Sequence, residues 1–438
     1  MKSLIRIPQI IEKIRTEEFK EKIKAVSGAF SRKSKLLLID MCFLIIFRKG
    51  LTIPMEVNEY FLKYKIEEPA SKQAFSKRRE LIKPEAFIEL NNDYVNLIYK
   101  ERELNKLGKY CVYAVDGTTA EIPNTSLLQK IFGVAKGQKG QLEVARCRIS
   151  GLYDCLNEIM VNVKVNPYES SERDLAKANI EEAINNILNF KPIIIFDRGY
   201  PSIDLIYFLQ KNKIKYVIRL QDSIYLKEIN AMKSNDEEVN LEITPLRLVG
   251  KIDKETKKIL KEKGYIKTRI IKHTLENGNT EILTTNLEEE FITGKELGKL
   301  YFKRWNIEKA YDVLKNKLYI ENISGKSERA VLQDLYGSIL AFNMIEDVAH
   351  DVNKEVKRTK ENGNKYDYKV NMNTLIGAIK LCLIYIMLSL DKSEADILEK
   401  KMMKMIKREL VAIKPNRSNH RKFYIGQNKH RSNLRRNS

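Results

Sequence analysis

A chain of 438 residues with 79 Lys+Arg against 58 Asp+Glu, a net charge of +21, is too long for one small core and carries a surplus that attracts polyanions. Hydrophobic residues at 43% suffice for a sizeable interior, and the length points to roughly two to four domains. The five cysteines (Cys42, Cys111, Cys147, Cys155, Cys382) form no CxxC pair and the four histidines are scattered, which argues against a disulfide framework, a zinc site or His-based catalysis.

Any metal is therefore expected on oxygen ligands, as a hard cation such as Mg²⁺. The natural polyanion is nucleic acid, because each neutralised phosphate releases counterions. The N-terminus is amphipathic and charged, with no signal-peptide apolar region. The apolar runs Leu37–Phe47 and Leu375–Leu390 are interrupted by Asp40 and Lys380 and read as buried helices rather than membrane spans. The expected setting is reduced and cytosolic, not a membrane.

Residues 1–105 read as a helical, DNA-binding region. Ile10, Ile11, Ile14 and Phe19 fit one helix and Leu36–Phe47 a second. A short helix around Val57–Leu62 precedes a basic one, Lys72–Arg79, with Ser71 as its N-cap. The two resemble a helix-turn-helix unit, although a solvated helix surface carries the same kind of basic face.

Residues 106–220 change rhythm and read as the first part of a catalytic core. Tyr110–Val115 is an apolar run ending at Asp116-Gly117-Thr118. Gly133, Gly137 and Gly140 mark a loop, and Ala145–Tyr153 with Glu158–Val165 suggests a hairpin. A helix starts at Ser170-Ser171, Pro192–Phe196 forms a buried strand ending at Asp197, Ser202 caps the helix Ile203–Lys213, and Lys215–Leu220 is another strand. Strands alternating with helices imply an α/β sheet with some parallel pairing.

Residues 221–287 are polar, rich in Lys and Glu, and read as an inserted, mostly β subdomain with a hairpin, Thr268–Thr274 and Glu281–Thr285, turning at Asn277-Gly278-Asn279. Residues 288–350 form the second part of the core, beginning with one long helix from Thr293 to about Leu318. Residues 351–413 are a C-terminal helical region, and 414–438 a basic tail containing Arg417, Arg421, Arg431, Arg435 and Arg436.

Asp116 and Asp197 each sit at the C-terminal end of an apolar strand. If those strands are parallel neighbours, the two carboxylates emerge together, where α/β sheets place their ligand sites. On one continuous helix, Tyr301, Arg304, Glu308 and Lys315 fall within about 60° of one another, a polar stripe beside the apolar face of Leu300, Ile307, Tyr311, Leu314 and Leu318. Three carboxylates can hold two divalent ions about 4 Å apart, the arrangement that activates the attacking oxygen and stabilises the leaving one in phosphodiester chemistry. Arg304 and Lys315 would grip neighbouring phosphates, Tyr301 would add a hydrogen bond, and Arg198 is a further phosphate candidate. Singly, Asp116 also reads as a turn residue, Asp197-Arg198-Gly199 as a surface pair beside a loop glycine, and Glu308 with Lys315 as ordinary helix charge.

Asp116-Gly117-Thr118, Asp197-Arg198-Gly199-Tyr200 and the Tyr-x2-Arg-x3-Glu-x6-Lys spacing at Tyr301, Arg304, Glu308 and Lys315 resemble the bacterial insertion-sequence DDE transposases, in particular the family four group with the YREK signature. The match runs from about Lys109 to Lys315. The resemblance implies a ribonuclease-H-like mixed sheet flanked by helices, with Asp116, Asp197 and Glu308 as the catalytic and metal-holding carboxylates. It implies two Mg²⁺ ions, for which Mn²⁺ can substitute, double-stranded DNA as partner and substrate, and a homodimeric synaptic complex. It also implies cut-and-paste movement through a DNA hairpin. Members of the group can place a Trp in the insertion to stack on a flipped base. The one Trp of this chain is Trp305, outside the insertion, and Tyr225 or Tyr265 would have to substitute. A catalytically inactive DNA-binding derivative, or a nuclease of similar fold without strand transfer, is the competing reading.

Overall fold

The apolar run before Asp116 folds as expected. In the computed structural model, strand β1 (Cys111–Glu121) fully buries Val112, Tyr113, Ala114 and Val115. The structure describes residues 2–65, 68–135, 143–188, 190–248, 250, 252–275, 278–358, 366–389 and 391–414. Gly137, Gly140, Asn277 and the basic tail beyond residue 414 lie outside the described residues. The chain divides into two compact units, one of Met1–Ile98 with Leu314–Ser438 and one of Tyr99–Val313.

The Tyr99–Val313 unit is built on a nine-stranded sheet. After β1 come β2 (Val134–Ala135), β3 (Val144–Asp154), β4 (Ile159–Pro167), β5 (Pro192–Phe196), β6 (Lys215–Arg219), β7 (Asp236–Glu242), β8 (Tyr265–Thr274) and β9 (Thr280–Thr285). Strands β1, β3 and β4 form an antiparallel meander, and β5 and β6 join parallel to β1, giving the spatial order β4-β3-β1-β5-β6. That order and polarity define a ribonuclease-H-like core. The connections through the helices Glu172–Asn186 and Ile203–Lys211 make the parallel pairings possible, since parallel neighbours need a crossover. Ser171 and Ser202 cap these helices, accepting from the amides of Asp174 and Leu205. Pro192 stands at the first position of its strand, where a missing N–H is tolerated.

The insertion continues this sheet instead of forming its own. Strand β9 pairs antiparallel with β6, β8 with β9, and β7 with β8. Two α-helices, Leu226–Ala231 and Lys254–Lys263, stand between these strands.

One expectation is corrected. The single helix from Thr293 to about Leu318 is two helices, Gly294–Phe302 and Trp305–Asn316. At the joint the amides of Lys303, Arg304, Asn306 and Ile307 bond to the carbonyls three residues back, those of Leu300, Tyr301, Lys303 and Arg304. This tighter turn shifts the angular phase between the two halves. Tyr301 therefore lies on the first helix, Arg304 at the joint, and Glu308 and Lys315 on the second.

The other unit is helical, with a two-stranded sheet of β10 (Asp367–Val370) and β11 (Leu410–Ile413). Buried ion pairs link its N- and C-terminal segments. Arg6 donates through Nε and Nη2 to both carboxylate oxygens of Asp347 (2.8 and 2.6 Å), and the Tyr94 hydroxyl donates to the same group. In the basic helix Lys72–Arg79, Arg79 is buried and donates to Asp334, Gln333, Ser324 and the carbonyl of Ala330. Arg78 stacks 4.5 Å from the Phe30 ring. Part of the charge that suggests a DNA-reading helix is thus spent inside this unit. Among the described residues, no helix is long and apolar enough to cross a membrane.

Candidate active site

Strands β1 and β5 run parallel with Val115 opposite Phe196, the last pair between them, so Asp116 and Asp197 follow at the same level. The expectation that Asp116 closes its strand is corrected, because β1 runs on to Glu121 and Asp116 sits midway along it, while Asp197 follows the end of β5. Asp116 is mostly buried. Its backbone carbonyl accepts from the Tyr311 hydroxyl (2.8 Å) and its Oδ1 from the amide of Gly117 (2.8 Å). Across the β1–β3 ladder Asp116 faces Gly151. A Cβ at Gly151 would stand 2.8 Å from the Tyr311 hydroxyl, so only glycine lets that hydroxyl reach the β1 backbone.

The carboxyl of Asp116 is pushed up to about 6. Burial is the largest cause, and the negative charges of Asp197 and Glu308 add to it, while the Gly117 amide and Arg304 oppose it. Asp116 therefore lies within the fields of both Asp197 and Glu308. Asp197 is half-buried, its Oδ1 accepting from the amide of Gly199 (2.9 Å). Glu308 is half-buried one turn beyond the helix joint.

Arg304 stands between the acids. It is 4% exposed, its Nη2 donates to Glu308 Oε1 (2.9 Å), and its Nη1 lies 3.6 Å from Asp116 Oδ2. Its guanidinium packs 4.6 Å from the ring of Trp305. Tyr301 is buried beside it, and burial raises its hydroxyl pKa. Arg198 is exposed, with its carbonyl held by Gln221 Nε2 (2.8 Å). Lys315 falls past the end of this unit, where its Nζ lies 3.9 Å from Glu321 Oε1. The structure thus brings Asp116, Asp197, Glu308, Arg304 and Tyr301 together within one unit.

Three further residues surround Asp116. Glu172 pairs with Arg148, and its Oε1 would lie 3.1 Å from a Cβ at Gly117. Tyr200 is buried with no hydrogen-bond partner for its hydroxyl, which burial and then the charges of Asp116 and Glu172 push up strongly. Tyr311 anchors the helix Trp305–Asn316 to β1. Tyr200 belongs to the Asp-Arg-Gly-Tyr motif, a signal in plain view; Glu172 and Tyr311 carry none that spacing could expose.

Among the described residues, no three His, Cys, Asp or Glu side chains stand converged as a ready metal cage. The donor chemistry nevertheless fits a hard divalent cation. The acidic groups offer oxygen only, the charges of Asp197 and Glu308 raise the Asp116 carboxyl, and the cationic group between Asp116 and Glu308 is a guanidinium with Nε and Nη1 making no hydrogen bond.

Residues 107–344, more than half of the chain, match a family model described as the transposase DDE domain. The chain is 26% identical over 181 residues to the transposase InsG for insertion sequence element IS4 of Escherichia coli (strain K12), a match covering 40% of this chain and 38% of that protein. It is 26% identical over 155 residues to a protein of insertion sequence element IS4SA from Synechocystis sp. (strain ATCC 27184), covering 34% of this chain and 39% of that one. These matches span well under half the length of the curated relatives. A solved piggyBac transposase synaptic complex with hairpin DNA overlaps 91% of this chain and 83% of its own, a loose likeness at 12% identity and a TM-score of 0.43.

Proposed function

The chain belongs to the transposase DDE domain family, and on that premise we propose that it cuts the ends of an insertion sequence and joins them to target DNA. Asp116, Asp197 and Glu308 are the catalytic carboxylates in this reading. What supports it most is the parallel register of β1 and β5, which sets Asp116 and Asp197 side by side within the field of Glu308.

The same three residues would hold two Mg²⁺ ions, with Mn²⁺ able to substitute. When bound, such a pair supplies charge neutralisation at the attacking and leaving oxygens of an in-line phosphoryl transfer. The chain's own contribution is positional. Tyr311 fixes the β1 backbone at Asp116, and the Gly199 amide fixes the rotamer of Asp197. Arg304, Tyr301, Lys315 and Arg198 contact DNA phosphates, with Arg304 suited to a bidentate grip and Lys315 to a point-charge contact. In this reading Tyr301, Arg304, Glu308 and Lys315 form a YREK-type signature, and the chain is a transposase of the family four insertion sequences.

The DNA is double-stranded, at both element ends and target, and the net charge of +21 favours it. The working form is a homodimer in a synaptic complex, in the bacterial cytoplasm at the nucleoid. Movement is cut-and-paste, through a hairpin for which Tyr265 or Tyr225 supplies the stacking surface. Incubation with a duplex carrying the element's own ends and a supercoiled target, with Mg²⁺, tests the reading. Joined products are expected; cut ends alone would indicate a nuclease, and bound but intact DNA an inactive derivative.

A further inference from the structure

Arg304 presents an unusual economy. It is a buried cation on the edge of an acidic site, yet it makes one side-chain hydrogen bond, to Glu308, and leaves Nε and Nη1 without any. A guanidinium carries five N–H donors, and burying a charged group with donors unused is costly. Its contacts are with the same oxygens that a divalent cation would require, Oε1 of Glu308 and Oδ2 of Asp116. Two cationic groups cannot share those oxygens without strong repulsion at such distances.

We infer that Arg304 is a resident counter-ion of the acidic site, which cation loading must displace. The inference rests on the reading of Asp116, Asp197 and Glu308 as the metal-holding residues. Before loading, the guanidinium keeps Asp116 and Glu308 from repelling each other and holds the joint of the two helices over the sheet end. A divalent cation takes over the carboxylates, and the guanidinium, already short of partners, moves away from Glu308. The arrangement couples cation uptake to release of a phosphate-binding group, so one event prepares both halves of the site.

Trp305 makes the displacement observable. It is the single Trp of the chain, and the Arg304 guanidinium lies 4.6 Å from its ring. Removing a positive charge from that face changes the indole emission. The experiment uses the full chain without DNA. Mg²⁺ is titrated into wild type, Arg304→Gln and Arg304→Lys, with binding followed by calorimetry and Trp305 by fluorescence, and with folding checked by circular dichroism.

Wild type is expected to show a saturable emission change that tracks the calorimetric binding. Arg304→Gln is expected to bind Mg²⁺ at least about tenfold more tightly, since a hydrogen bond to a charged group no longer competes. Its emission should no longer respond. Arg304→Lys retains the charge and should stay close to wild type. Folded Arg304→Gln with unchanged or weaker Mg²⁺ affinity overturns the inference, as does wild-type binding without any change in Trp305 emission, a result that needs no variant. Absence of Mg²⁺ binding in wild type overturns the metal-site reading itself and this inference with it.

Discussion

Val115 and Phe196 face each other across a parallel pair of strands, and the residues that follow them are Asp116 and Asp197. Two carboxylates are thereby placed side by side by backbone register alone, before any side chain chooses a rotamer. Asp197→Asn leaves that register intact and removes a charge on which the proposed metal site depends. Strand cleavage is expected to fall by at least about a thousandfold, as for loss of a group acting only in the transition state, while circular dichroism and melting stay near wild type. Gel assay of nicked product against Mg²⁺ concentration checks this; an undiminished rate removes Asp197 from the site.

Asp116 titrates abnormally, and the sign can be followed. Its folded carboxyl is raised to about 6 by burial and by its acidic neighbours. A raised acid stabilises the fold at pH values below the ordinary carboxylate range and loses that contribution as pH climbs through about 6. Asp116→Asn should therefore match wild type in stability near pH 4 and exceed it at pH 7.5 without metal, by up to about 3 kcal/mol. Chemical denaturation at both pH values is the measurement. A variant less stable than wild type at pH 7.5 contradicts the electrostatic picture.

Arg79 stands on the helix that the sequence presents as basic and exposed, yet it is buried on Asp334 and Gln333. Removing it leaves the buried carboxylate of Asp334 with Arg48, 3.5 Å away, in place of a hydrogen-bonded cation, and leaves Gln333 without that donor. Arg79→Ala should cost about 3–5 kcal/mol of stability, seen as a lowered melting temperature, with DNA affinity per folded molecule little changed. A stable variant with weakened DNA binding would restore the helix to a reading role.

Much of this site is legible in the sequence, and the exceptions are instructive. The two aspartates declare themselves because each closes a short apolar run, a local pattern. The break at Lys303-Arg304 does not: no Gly or Pro marks it, and three-residue hydrogen bonding at the joint breaks a polar stripe that looks continuous at α-helical spacing. Arg79 misleads because its partner Asp334 is 255 positions away. Gly151 is silent until Tyr311 is seen against it. The edge pairing of β9 with β6 is backbone chemistry and leaves no side-chain pattern that separates an extended sheet from an independent subdomain.

For the proposed hairpin step, exposure separates the two candidate stacking aromatics. Tyr265 is 50% exposed at the start of β8, whereas Tyr225 is 7% exposed beneath Arg247, 4.8 Å from its guanidinium. Tyr265→Ala should weaken binding to a flipped or unpaired base by about 1–3 kcal/mol with melting unchanged, while Tyr225→Ala should lower melting. Fluorescence anisotropy on DNA with an abasic or extrahelical site distinguishes them, and the reverse pattern would exchange the assignments.

The decisive measurement is Mg²⁺-dependent nicking of a duplex bearing the element's terminal sequence, compared between wild type and Asp197→Ala at equal folded concentration. Convergent carboxylates predict nicked product from wild type alone, dependent on the divalent ion. Equal product from both proteins, or cleavage indifferent to Mg²⁺, would show that the chemistry belongs elsewhere.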